Sequence, residues 1–265
     1  MTPQRLHFLV GVLVLVIIAA LFYFLMPAKT IAPENTGTAS STAATSSITY
    51  TTKTITESNS QKFYSLKASY PVFAFSDSIL ADKINRSVRE IVNQELVSYR
   101  ADFDTSAGPG SSAGEYGTST LQIDFNVLNN HRLNKILPLR FNEEFYSAGA
   151  AHPGSNVLTL NYNLVTADVL SLANLFKPGA QYLEAISEYS IKTLKKNLGT
   201  DAEPAAIEEG AAPKQENFNA FLVTDNGLEI IFTEYQVAAY AAGEQEVTIP
   251  WSELKDILNP NLNLL

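Results

Sequence analysis

Residues 218–235 read FNAFLVTDNGLEIIFTEY, and this stretch decides the fold class. Two apolar runs, Phe218–Thr224 and Leu228–Tyr235, flank Asp225-Asn226-Gly227. Asp and Asn tolerate a left-handed backbone, and glycine adopts it at no steric cost, so the triplet suits a tight hairpin turn. The segment predicts two antiparallel strands. On its C-terminal side, Glu246–Ile249 reads as a further strand, and Pro250 and Trp251 open a short helix running to Leu258. On its N-terminal side, Asp201–Gln215 reads as an acidic loop. Before that loop, Gly179–Leu198 predicts a helix, with Lys195 and Lys196 suited to its negative C-terminal end and Gly199 as its stop.

Upstream, the same alternation recurs. Val157–Val165 places Leu158, Leu160, Tyr162 and Leu164 on one face of a strand. Thr120–Leu128 and Leu133–Phe141 predict a strand pair turning at Asn129-Asn130. Ser76 or Asp77 caps an amphipathic helix whose apolar positions are Ile79, Leu80, Ile84, Val88, Ile91, Val92, Leu96 and Tyr99. Lys62–Ser69 reads as a strand that Tyr70-Pro71 should end, because the residue before proline is restricted and proline lacks an N–H. Strands outnumber helices, and they do not alternate in the manner of parallel α/β folds. The pattern predicts an α+β domain, a mostly antiparallel sheet with two main helices, preceded by one transmembrane helix.

That transmembrane helix is read from Leu6–Met26, LHFLVGVLVLVIIAALFYFLM. A helix of about 21 residues rises about 30 Å, the thickness of a bilayer core. A cleaved leader would have a shorter apolar core, about 7–15 residues, and a small-residue exit. This run ends instead in Phe22, Tyr23, Phe24 and Leu25. Arg5 and the N-terminal amine precede it and Lys29 follows, which directs the N-terminus to the cytoplasm and the remainder outside. The expected organisation is a cytoplasmic stub at 1–5, an anchor at 6–26 and a Ser/Thr/Ala-rich stalk at 27–47, too poor in large apolar groups to order itself. An extracytoplasmic domain follows at 48–265, with halves at 48–145 and 146–265.

The chain has no cysteine, which excludes disulfides and thiol chemistry. Its net charge of −9 argues against nucleic acid, whose phosphates need a basic surface, and would steer a basic protein partner. Gly110-Ser111-Ser112-Ala113-Gly114 fits the G-x-S-x-G pattern, but no strand leads in and no helix leads out, as a nucleophile elbow requires. Ser252-Glu253-Leu254-Lys255 fits S-x-x-K without any companion K-T-G. The histidines, His7, His131 and His152, lack the spacing of a zinc site. No catalytic residue, cofactor or metal ligand is assigned.

Tyr146-Ser147-Ala148-Gly149-Ala150-Ala151-His152-Pro153-Gly154 stands apart, with tiny residues and a histidine between two strands. Tiny residues admit a close ligand or backbone. The histidine could meet a ligand, or could simply bond a backbone carbonyl in a tight connection. YSAGAAHP at 146–153 resembles the Y-x-G-G-A-H signature of the RsiV-like family, extracytoplasmic domains of unassigned general function. Asn161–Phe176 is similar to that family's strand-turn-L-x-D-L-F stretch, and Leu228–Pro250 to its aromatic ending. Tyr70-Pro71 and the helix bearing Asn85 resemble its N-terminal half. The sequence departs from the pattern at Ala150, Ala151, Asn174 and Ala239.

Family members include an anti-sigma factor that senses lysozyme and domains that precede the catalytic domain of peptidoglycan deacetylases. Five residues before the anchor are too few for an anti-sigma domain, and nothing after Leu265 could be a deacetylase. The resemblance therefore implies a membrane-anchored, non-catalytic binding module for a cell-envelope component, such as a peptidoglycan fragment, or for an envelope-directed protein such as lysozyme. Tyr146, His152, Tyr235 and Tyr240 are the candidate ligand-binding residues. Two other expectations stand beside this one. The first is an enzyme acting on envelope glycan, with His152 and Glu234 or Asp124 as acid and base. The second is a structural envelope protein that binds only itself.

Overall fold

The computed structural model describes residues 48–104, 117–200 and 202–265. The expected anchor at 6–26, the stalk at 27–47 and the Gly110–Gly114 motif lie outside the described residues. Among the described residues, no helix is long and apolar enough to cross a membrane.

The strands are β1 (Thr49–Asn59), β2 (Tyr64–Ala74), β3 (Ser119–Val127), β4 (Ile136–Tyr146), β5 (Gly154–Asn163), β6 (Phe221–Thr224), β7 (Gly227–Phe232) and β8 (Gln245–Pro250). The helices are α1 (Ser78–Ala101), α2 (Tyr182–Leu198), α3 (Pro204–Gly210) and α4 (Trp251–Leu254). The α+β class holds, but the strands form two sheets instead of one. β1 to β5 make a five-stranded sheet in chain order, and β6 to β8 make a three-stranded one. The smaller sheet is antiparallel throughout, and its first hairpin turns at Asp225-Asn226 as the opening segment predicts. The larger is mixed: β2 and β3 run parallel. A parallel pair needs a long crossover, and α1 supplies it. The sequence division at Tyr146 falls at the end of β4, whereas the two sheets part only after Asn163.

Asp77 caps α1, its Oδ1 accepting from the N–H groups of Ile79 at 2.9 Å and Leu80 at 3.1 Å. Ala81, Ile84, Val88, Val92 and Leu96 form its buried stripe, while Ile79 is 69% exposed in the first turn. The stripe packs on one face of the large sheet with Leu66, Ile123, Leu139, Phe141 and Tyr162. The other core gathers Ile186 and Leu194 of α2 with Phe218, Val223, Ile230, Phe232, Ile249 and Trp251.

Three elements depart from the sequence reading. β1 is a full strand of TYTTKTITESN, masked by its hydroxyl-rich composition. Residues 204–210 are a helix, not a loop, begun by Pro204 and held by buried Ile207. β2 runs straight through Pro71. Its pairing with β3 covers only Tyr64–Ala68, so no strand lies along that edge at Pro71. Two residues on, the Asn85 side chain takes the strand's place. Phe73 N–H donates to Asn85 Oδ1 at 2.7 Å, and Asn85 Nδ2 donates to Phe73 O at 2.9 Å. Alternate residues of a strand direct their N–H groups to the same edge, so Pro71 costs no ladder bond.

The two sheets meet along a polar seam. β6 is an edge strand of its own sheet, and side chains complete its free edge. Phe221 N–H donates to Thr159 Oγ1 at 2.9 Å, Val223 N–H to Asn161 Oδ1 at 2.8 Å, and Asn161 Nδ2 to Phe221 O at 2.9 Å. Asn130 Nδ2 donates to Val223 O at 2.8 Å, and Asp225 N–H to Asn130 Oδ1 at 3.1 Å. The Asp225 carboxylate in turn accepts three consecutive backbone N–H groups, those of His131, Arg132 and Leu133. Burial alone would raise this carboxyl, but the three N–H bonds outweigh it and hold Asp225 below the usual carboxylate range. This docking also explains why the β3–β4 connection is longer than a turn at Asn129-Asn130.

Asn161 is fully buried and serves both an N–H and a C=O of β6. Asn161→Ala should lower unfolding stability by about 2–4 kcal/mol, because two buried backbone groups lose their partners. Denaturant unfolding measures this; a loss under about 0.5 kcal/mol would mean that the seam is not structural.

Candidate functional site

Two loops from opposite sides of the seam meet over the face of the large sheet that α1 does not cover. The first, residues 147–153, joins β4 to β5. Ala150 N–H donates to Ser147 O at 2.8 Å, closing a turn with Gly149 at φ +85°, the left-handed geometry that favours glycine there. Ala148 N–H donates to Ser119 Oγ at 3.0 Å and ties the turn to β3. Gly154 then opens β5 against the Phe145 ring, where an added Cβ would lie 2.6 Å from a ring carbon.

The second loop, residues 233–244, joins β7 to β8. Gln236 N–H donates to Thr233 O at 3.1 Å. The Gln236 side chain reaches inward, donating to Gly210 O at 3.0 Å and Asn217 O at 2.9 Å. Tyr235 sits in this turn at φ +66° and is 56% exposed. Such a backbone is unfavourable for a bulky residue, and strain of this kind concentrates at functional sites. Arg140 of β4 anchors the far end of the loop. Its guanidinium donates to Glu244 at 2.5 Å and Glu246 at 2.6 Å, and its Nε donates to Asn142 Oδ1 at 2.6 Å. Burial leaves the Glu244 carboxyl raised despite this ion pair.

Three of the four candidate residues come together where the loops meet. The His152 ring stacks on Tyr240 with centroids 4.0 Å apart and planes 25° apart. Tyr235 lies 5.6 Å from Tyr240, centroid to centroid. His152 Nδ1 is 2.8 Å from Pro153 O, so that nitrogen carries the proton and donates to the carbonyl. In the neutral ring, Nε2 is then the acceptor facing the Tyr235 hydroxyl at 3.3 Å. Tyr240 Oη also donates to Pro153 O, at 3.1 Å. His152 therefore bonds a backbone carbonyl, as the structural reading expects, and also stacks in an aromatic group with Tyr240. Tyr146 ends β4 opposite Thr120 and makes no ring contact with this group.

Beside the aromatic group is a cleft of about 280 Å³, lined by Tyr240, Asp124, Glu144, Glu234, Gln122 and Asn142, among others. Asp124 and Glu234 are thus brought to one place, while His131 is not: its N–H serves Asp225 at the seam. The residue-by-residue reading missed Gln122, Asn142, Glu144 and Arg140. Their signal was the alternation of Gln122, Asp124 and Asn126 on β3 with Ile123 and Phe125 between, and of Arg140 and Asn142 on β4 with Phe141 between; Glu143 breaks the pattern before Glu144. Among the described residues, no group of three or more His, Asp or Glu is placed to hold a metal ion.

Residues 173–252 match the family model DUF3298, described as a protein of unknown function. This stretch is DUF3298-like. The stretch 228–250, one of those that carry the RsiV-like resemblance, lies inside the match and contains Tyr235 and Tyr240; the stretch 146–153, with Tyr146 and His152, lies outside it. Over 201 residues the chain is 31% identical to the peptidoglycan-N-acetylmuramic acid deacetylase PdaC of Bacillus subtilis, covering 76% of this chain and 40% of PdaC. It is 26% identical over 110 residues to an esterase of Mycobacterium tuberculosis, covering 42% of this chain and 47% of the esterase. The chain thus spans less than half the length of each of these relatives. Two crystal structures of DUF3298 family proteins share the fold. One, from Bacteroides fragilis, gives a TM-score of 0.58 at 17% identity and covers 82% of this chain and 97% of its own. The other, from Pseudomonas aeruginosa, gives 0.55 at 18% identity and covers 80% and 95%.

On the opposite face of the sheet, Glu95 of α1 approaches Glu143 of β4. Burial pushes the Glu95 carboxyl up to about 7, and the Glu143 charge adds to the effect. Burial also raises Glu143, opposed by the bond that Asn156 Nδ2 donates to it at 3.1 Å. Protonated Glu95 is compatible with the fold, and ionised Glu95 is costly. The stability it permits is full below the ordinary value of 4.5 and is lost as pH rises through about 7. Glu95→Gln should therefore stabilise the protein by about 1 kcal/mol near pH 8 and have little effect near pH 4, read by thermal unfolding at both.

Proposed function

We propose that this chain is a membrane-anchored, extracytoplasmic, non-catalytic binding module for a cell-envelope component or an envelope-directed protein such as lysozyme. One observation carries the reading: exposed Tyr235 and His152 gather about half-buried Tyr240, which lines a concave acidic cleft. Exposed aromatic rings beside a concavity are a common ground plan for recognition, because they offer large contact area at small entropic cost. Tyr235 is held in an unfavourable backbone conformation with its ring outward, which supports a role in contact over one in packing. Both ring nitrogens of His152 face partners, which suits a positioned contact residue better than a free base. The apolar run at 6–26 supports the anchor. The relative PdaC, by its name, acts on peptidoglycan, which supports an envelope ligand.

Enzymatic action on envelope glycan is a second reading, favoured by the convergence of Asp124 and Glu234 in one cleft. If the wild-type chain releases no product from purified peptidoglycan, that reading fails.

Pull-down and titration with muropeptides and with lysozyme test the binding reading. Wild-type protein should retain at least one of them, and Tyr240→Ala should weaken retention about tenfold with the fold intact. A folded protein that binds neither would remove both ligand classes.

A further inference from the structure

The cleft carries charge that its own surroundings do not balance. Its side chains include the carboxylates of Asp124, Glu144 and Glu234, and no Lys, Arg or His lines it. Glu143 also borders it, but pairs across the strands with Asn156 near Glu95, on the α1 side of the sheet. Two cations stand on this sheet face: Arg140 is committed to Glu244 and Glu246, and Lys67 of β2 lies across from Gln122 without lining the cleft. Among the described residues, none of Asp124, Glu144 and Glu234 has a cationic partner. Asp124 does accept from Gln122 Nε2, at 2.7 Å.

The other lining groups indicate the rest of the ligand. Gln122, Asn142 and Ser155 offer amide and hydroxyl groups suited to a polyol. The rings of Tyr240 and Tyr235 offer faces of negative potential, which attract the C–H groups on the apolar side of a pyranose and any nearby ammonium. A volume of about 280 Å³ lies at the lower end for small-ligand pockets and suits one or two rings, not a flat protein epitope.

We propose that this cleft binds a glycan whose amino sugars carry free ammonium groups, in preference to the N-acetylated glycan. The inference rests on reading the cleft as the binding site and names its ligand class. An ammonium on the sugar would lie among Asp124, Glu144 and Glu234 while the ring packs against Tyr240. An N-acetylated sugar is neutral and would cover these carboxylates without pairing them, which is costly. The class of reaction that supplies such a ligand is hydrolysis of an N-acetyl amide.

The test is calorimetric titration of the full chain with a glucosamine tetrasaccharide and with its N-acetylated counterpart, at about 20 mM and about 300 mM salt. The free-amine form should bind at least about tenfold more tightly, and should weaken with salt. Asp124→Asn and Glu234→Gln should each weaken it about fivefold or more without changing binding of the N-acetylated form. Glu188→Gln, an exposed carboxylate on α2, should have no effect, which separates the cleft from general attraction to an acidic protein. Equal binding of both sugars, or preference for the N-acetylated one, would overturn the inference and leave the cleft as a glycan site. Lysozyme binding without either sugar would overturn it in favour of a protein cation. Failure of all three ligands would overturn both this inference and the binding reading.

Discussion

The unpaired edge of β6 is the constraint on which the rest depends. A four-residue strand with one open edge would leave buried N–H and C=O groups unsatisfied. Thr159 and Asn161 of β5 and Asn130 of the β3–β4 connection satisfy them instead. The two sheets therefore do not merely touch through apolar side chains. They are registered to each other by directional bonds, much as two strands are. Sliding one sheet by a single residue would break the set together.

That registration places the site. β5 begins where the His152 loop ends, and β7 ends where the Tyr235 loop begins. The seam joins β5 to β6, and β6 pairs with β7, so both loops are referred to one frame. The Arg140 pairs with Glu244 and Glu246 add a second fastening on the other side of the Tyr240 turn. Convergence of His152 with Tyr235 and Tyr240, over eighty positions apart in sequence, follows from these two fastenings.

What was legible in the sequence follows from what is local. The Asp225-Asn226-Gly227 turn, the Asp77 cap and the Gly199 stop are short-range chemistry, and all three stand where expected. β1 was not legible because threonine, although β-branched, carries a hydroxyl that reads as loop. The passage of β2 through Pro71 was not legible because it depends on which edge lacks a neighbour, a long-range fact. At the site, the family-like stretches pointed to His152, Tyr235 and Tyr240. They also pointed to Tyr146, which the end of β4 keeps apart from the other three rings. Asp124 and Glu234 were read as alternatives for one carboxylate, and their joining with Glu144 in one acidic wall was not legible, because the three are spread over β3, β4 and the loop after β7. Only pairing brings them side by side.

Side-chain amides do the joining here: Asn85 beside β2, and Asn130 and Asn161 beside β6. Each amide donates and accepts at once, as a peptide group does. A chain without cysteine that relies on such groups is indifferent to the redox state of its surroundings. Its exposure is to chemical ageing. Hydrolysis of any one of these amides would put an acceptor-only carboxylate against a backbone carbonyl that needs a donor. The durability of the fold in a long-lived molecule is thus set by how slowly three asparagines deamidate, and their burial or half-burial within folded backbone slows that reaction.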